Sequence, residues 1–205
     1  MSLELQNKPG APPVADLRGR ILDAAVALFA ERGFGSVSVR EVVERVGCTK
    51  PALYYHFGSK ADLYLEAVHT RLHAVVEVLS EVVATPGPPQ QRLERFARVM
   101  LDRAREQPEG VRLILTAEHH TPDDGTPSVD LLSLHMEMLE LLGRIISDGQ
   151  RTGAVRGDLP PFDLAVAFVG MLHVHTLATL YGIQPEADVP AQLIDIFFSG
   201  IQPRE

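Results

Sequence analysis

Apolar residues recur at helical spacing along most of this chain, and nowhere do they alternate with period two at length. Over 16–32, Leu17, Ile21, Ala24, Ala25, Leu28 and Phe29 form one stripe that Gly33 ends. Ser38 and Glu41 have the spacing of a capping box, and they open a short run carrying Val39, Val42, Val43 and Val46 before Gly47 stops it. Thr49 and Pro51 open a second short run anchored by Leu53. Longer stripes follow over 61–84, 90–106, 108–119, 128–152, 161–181 and 189–201, separated by Pro- and Gly-bearing loops at 85–89, 121–127 and 182–190. The pattern predicts an all-α chain of about nine helices without internal repeats. It also predicts a disordered arm over 1–15, where Pro9, Gly10, Pro12 and Pro13 break any period.

Two short helices joined by a tight glycine turn form a helix-turn-helix, whose second helix enters the DNA major groove and meets base edges and phosphates. The second run suits that task, because Lys50, Tyr54, Tyr55 and His56 surround Leu53 with a charge, two hydroxyl-bearing rings and an imidazole. Such short helices bury little, so their polar groups are available for presentation.

From about residue 18 to 68 the chain resembles the DNA-binding domain of the TetR (tetracycline-repressor-like) family of bacterial transcription regulators. The resemblance rests on Ile21-Leu22-Asp23-Ala24-Ala25, Leu28-Phe29, Gly33-Phe34, Ser38-Val39-Arg40-Glu41-Val42 and Leu53-Tyr54-Tyr55-His56-Phe57-Gly58-Ser59-Lys60-Ala61-Asp62-Leu63. Val37, Val43 and Cys48 depart from the threonine, alanine and valine common at those places. The resemblance implies a helix-turn-helix domain over 16–62 and a ligand-binding and dimerisation domain over 63–205. It implies DNA contacts from Ser38, Arg40, Thr49, Lys50, Pro51, Ala52, Tyr54, Tyr55, His56 and Lys60, with Lys50 placed to read guanine and Thr49, Tyr54, His56 and Lys60 to hold phosphates.

Charge first opposes and then supports a DNA partner. The chain carries a net charge of −8, yet residues 1–62 carry +1 and residues 63–205 carry −9. Arg18, Arg20, Arg40, Arg45, Lys50 and Lys60 supply a local basic footprint, and the acidic remainder limits nonspecific binding. A single cysteine, Cys48, excludes an intrachain disulfide and reads as a small buried apolar residue. No apolar leader and no run of eighteen apolar residues appears, which points to a cytoplasmic protein without a membrane partner. The arginines over 90–106 alternate with Glu94, Asp102 and Glu106, the pattern of a solvated, ion-paired face.

The resemblance further implies a homodimer on a pseudo-palindromic double-stranded operator, paired through the last two helices. Leu172, Leu177, Leu180, Leu193, Ile194, Ile196, Phe197, Phe198 and Ile201 are the candidates for that face. A small-molecule effector would occupy a pocket lined from His69, His73, Phe96, Met100, Leu113, Ala117, His119, His135, Met138, Phe168 and His173, polar or soft groups on apolar faces. No cofactor is expected, and the absence of a nucleophile motif or glycine-rich phosphate loop speaks against an enzyme. Two rivals remain: a ligand-independent regulator of the same fold, and a metal sensor or enzyme built on Glu66, His69 and His73, which share one helical face.

Overall fold

The computed structural model describes residues 14–118, 125–183 and 188–201. Among them run α1 (Val14–Ser36), α2 (Val39–Val46), α3 (Lys50–Phe57), α4 (Lys60–Ala84), α5 (Pro89–Glu106), α6 (Pro108–Glu118), α7 (Leu131–Arg151), α8 (Pro161–Leu180) and α9 (Val189–Ile201), with no strand. The expected arm lies outside the described residues except at its last two positions, which begin α1. Much of the 121–127 loop and the middle of the 182–190 loop also lie outside them.

The breaks follow from local chemistry. Gly33 (φ 73°, ψ 165°) interrupts α1, so the helix ends in substance where the apolar stripe ends. The Ser38 hydroxyl accepts from the Glu41 amide while the Glu41 carboxylate accepts from the Ser38 amide at 2.8 Å, a complete capping box. Donation to the Glu41 carboxylate from the Ser38 amide, the Ser38 hydroxyl and Arg32 holds that carboxyl down at about 2. Gly47 closes α2 in the left-handed conformation, φ 75°. The Thr49 hydroxyl accepts from the Ala52 amide, and the Ser59 hydroxyl caps α4 through the Asp62 amide at 3.0 Å.

Two cores share α4. The first joins Ile21, Ala25 and Phe29 of α1 to Val42 of α2, Leu53 and Phe57 of α3, and Leu63, Val68 and Leu72 of α4, and it takes Leu113 from α6. It therefore runs past residue 62 into the second half of the chain. Phe29, fully buried, meets the edge of Tyr64 at 5.3 Å between ring centroids; hiding such a side chain stabilises the fold by about 2–3 kcal/mol. The second core packs Leu79 and Val82 of α4 with Leu93, Phe96 and Leu101 of α5, Leu142 and Ile146 of α7, Phe168 of α8 and Phe197 of α9.

The arginine band of α5 is not uniformly solvated. Arg98 pairs with Glu94 and Asp188 and Arg105 with Asp102 at the surface, as expected. Arg92 is instead only 7% exposed. Its guanidinium donates to the carbonyls of Val82 and Val83, in the last turn of α4, and pairs with Asp148 of α7 at 2.9 Å. The prolines at 86, 88 and 89 turn α5 back onto the end of α4, and Arg92 satisfies carbonyls that no helical amide can reach.

Candidate functional site

The helix-turn-helix presents α3 from an exposed turn, with Leu53 and Phe57 as its buried anchors. Leu53 and Phe57 face inward, whereas Thr49, Lys50, Pro51, Tyr54 and Tyr55 are exposed, Tyr55 at 85%. Ala52 and His56 are half-buried, and the His56 ring lies 5.3 Å from that of Tyr55. The remaining predicted contacts are already engaged. Ser38 serves the capping box, and Arg40 pairs with Glu44 at 2.6 Å. Lys60 sits with its ammonium 4.1 Å from the Phe34 ring centroid, where burial draws its pKa down.

The basic footprint is correspondingly sorted. Arg18 lies over the Phe57 ring and pairs with Glu66, and Arg20 donates at 2.6 Å to the carbonyl of Val46. That last bond closes the C-terminal end of α2. Arg45 and Lys50 have no carboxylate or hydrogen-bond partner among the described residues. Cys48 packs against the first core, and burial pushes its thiol pKa up, so it behaves as a small apolar residue.

Behind this unit, α4, α5, α6, α7 and α8 line a half-open cavity of about 150 Å³. Phe96, Met100, His135, Met138 and His173 line it. Leu113 and Phe168 do not, being packed in the first and second cores; Ala117 lies against the first core. His73 is exposed on α4 and His69 half-buried beside it, and neither reaches the cavity; His119 lies outside the described residues. The carboxylate of Glu66 is taken by Arg18, and no cluster of three or more histidine, cysteine or acidic side chains converges among the described residues.

Sequence reasoning missed Arg71, Arg103, Gln107, Glu118 and Thr176 at the cavity wall. Arg103 belongs by spacing to the arginine-rich face of α5 that reads as solvated, and Arg71 carries no local signal that separates a cavity lining from a surface charge. His135 is held by two acceptors, the Leu131 carbonyl at 2.8 Å from Nδ1 and the Glu118 carboxylate at 3.1 Å from Nε2. Only the imidazolium donates to both, and the Glu118 bond accordingly raises its pKa.

The last two helices carry the expected surplus of apolar residues, but differently distributed. Leu172, Leu193, Ile194, Phe197, Phe198 and Ile201 are buried within the chain, each 8% exposed or less, and so have little left to offer a partner. Of the predicted face, Ile196 is 63% exposed and Leu177 and Leu180 are half-buried. Outside that predicted set, Phe162, Val166, Val174 and Tyr181 are exposed on or just beyond α8. At about 100° per residue they fall with Leu177 and Leu180 in one arc about 120° wide, opposite the inward arc of Leu164, Phe168 and Leu172. By length and composition alone α8 would pass for a membrane span; here one side is packed into the second core.

The model described as "Bacterial regulatory proteins, tetR family" matches residues 21–67, and that described as "Tetracyclin repressor-like, C-terminal domain" matches residues 89–189. The chain is 31% identical over 109 residues to the HTH-type transcriptional activator FasR of Mycolicibacterium smegmatis, a match covering 53% of this chain and 50% of that protein. It is 26% identical over 190 residues to the uncharacterized HTH-type transcriptional regulator YdgC of Bacillus subtilis, covering 91% and 93% of the two chains. Among solved structures, the TetR family transcriptional regulator PfmR from Thermus thermophilus shares the fold, with a TM-score of 0.70 at 22% identity over 88% of this chain and 97% of that one. With both parts of its length matched and its capped α2–α3 pair in place, the chain belongs to the TetR family of bacterial regulators and is a DNA-binding transcription regulator rather than an enzyme.

Proposed function

We propose that this protein is a homodimeric, ligand-responsive regulator of the cytoplasm, a repressor released from a pseudo-palindromic operator when a small molecule fills the cavity. One observation carries the reading: α6 belongs to both halves of the molecule. Its Leu113 is fully buried in the helix-turn-helix core, while its Gly110, Val111, Ile114, Leu115 and Glu118 line the cavity. A ligand that moves α6 therefore acts on the packing behind α3. It shifts the equilibrium only by as much as it prefers the arrangement that does not bind DNA.

In this reading Lys50, free at the start of α3, reads guanine, and Thr49, Tyr54, Tyr55 and His56 anchor phosphates. Pro51 and Ala52 meet a thymine methyl, and Ser38, Arg40 and Lys60 contact the backbone from the flanks after exchanging their present partners. The exposed arc of α8, with Ile196 of α9, supports pairing with a second copy, since an apolar stripe of this kind is buried in stable assemblies. The test is fluorescence anisotropy on a labelled duplex from the chain's own promoter, with a broad metabolite panel added to the complex. Release by at least one compound is expected; affinity retained against the whole panel would favour the ligand-independent regulator instead.

A further inference from the structure

The cavity wall is apolar along most of its length, with Leu72, Val75, Phe96, Met138, Val169 and Leu172, but it carries two arginines. Glu118 is the one carboxylate lining it among the described residues, and Glu118 is committed to His135. Arg103 has no carboxylate or hydrogen-bond partner among the described residues. Arg71 donates through Nη2 to Asp23 of α1 at 2.8 Å, but its Nε is buried without a hydrogen-bond partner. Both arginines are only half-buried, but unmet guanidinium donors facing an apolar wall are unfavourable, and a ligand that brings an anion supplies acceptors to both. A cationic ligand would add to the surplus positive charge, and a neutral one would leave it unanswered.

Taking the cavity as the effector site, we propose that the effector is an amphipathic anion, an apolar body with one carboxylate-type head, and that Arg71 exchanges Asp23 for that head while Arg103 holds it. Arg71 is placed for such an exchange. It rises from α4, lines the cavity, reaches α1 through Asp23, and passes α6 at Gly110, where a Cβ would stand 3.3 Å from its Cδ. Asp23 is 74% exposed, so the existing pair is water-screened and weak enough to be given up. Losing it removes a tie between the cavity wall and the first helix of the DNA-binding unit. The cavity, about 150 Å³, takes a group of about benzene's size, so a ten-carbon carboxylate such as decanoate fills it only by widening it.

The experiment is calorimetric titration of the full-length protein, without DNA, by decanoate and by its neutral isostere decanamide. The same two probes are then added to the anisotropy complex. Decanoate is expected to bind about tenfold more tightly, because a charge-assisted bond is roughly twice as strong as a neutral one. Arg103→Gln should abolish that preference, and Asp23→Asn, a surface change that frees Arg71, should tighten decanoate about threefold. Equal affinity for the two probes, no binding of either, or a preference that survives Arg103→Gln would overturn the proposal. If decanamide binds as well as decanoate and both release DNA, the anion site falls and the effector reading stands. If decanoate is preferred but DNA is retained, the anion site stands and the effector reading falls.

Discussion

The helix-turn-helix unit and the cavity-bearing half are built from the same kind of element, yet they differ in how far the polar groups that shape each of them reach, although Arg18 and Arg20 also make long-range bonds in the first. In the first, Ser38, Glu41, Thr49, Ser59 and Asp62 bond to neighbours three residues away and start helices, Glu41 holding Arg32 as well. In the second, Arg92 reaches Asp148, Arg98 reaches Asp188 and His135 reaches Glu118 across the fold, and Arg103 reaches no partner among the described residues. Local commitments fix where each helix of the presenter starts, and the packing of Leu113 from α6 behind it leaves its position open to change from the other half. Long-range commitments around a void make a region that a ligand can rearrange.

Several substitutions would break or sharpen that contrast. Phe29→Ala, in the packed first core, is expected to cost about 3–5 kcal/mol in urea unfolding, against well under half of that for Met138→Ala, which already borders the cavity. Comparable losses at both sites would erase the distinction between filled and hollow halves. Arg92→Ala should cost about 2–4 kcal/mol, because it orphans the carbonyls of Val82 and Val83 as well as breaking a pair to Asp148. A cost near zero by the same measurement would mean that water serves those carbonyls equally well.

Gly47→Ala should cost about 1 kcal/mol, since φ 75° is unfavourable for any residue with a Cβ, and it should weaken DNA binding by tilting α3 against α2. The smallest effect concerns pH. The folded-state pKa of His135 is raised above 6.5, so its pairing with Glu118 stabilises fully below that pH and is lost as pH rises through the raised value. With the histidine 38% exposed, screening leaves well under about 1 kcal/mol, visible as a shallow fall in melting temperature above pH 6.5 that Glu118→Gln removes. Unchanged slope in that variant would detach the effect from this pair.

What could be read from the sequence divides along the same line. The caps at Ser38 and Thr49, the stops at Gly33 and Gly47, and the inward Leu53 are properties of a few adjacent residues, so spacing alone locates them. The helix count follows from the same periodicity. Arg92 and Arg103 lie on the same α5 as the surface pairs of Arg98 and Arg105, and only the approach of α4, α7 and α6 separates a buried cap and a cavity lining from a solvated charge. On α8, apolar residues circle the helix, and composition cannot tell the arc of Phe168 from the arc of Val174 until a core is packed against one of them. Phe197 and Phe198, outward-facing by composition, are for the same reason covered within the chain instead.

Selection of bound sequences from a random DNA pool tests most directly whether two copies present α3 to one stretch of duplex. The expected result is an enriched pseudo-palindrome whose half-site centres lie about 10 base pairs apart or a multiple of that, with base preference relaxed by Lys50→Ala and overall affinity lowered evenly by Tyr54→Ala. Enrichment of a lone half-site, or of nothing at all, would contradict it.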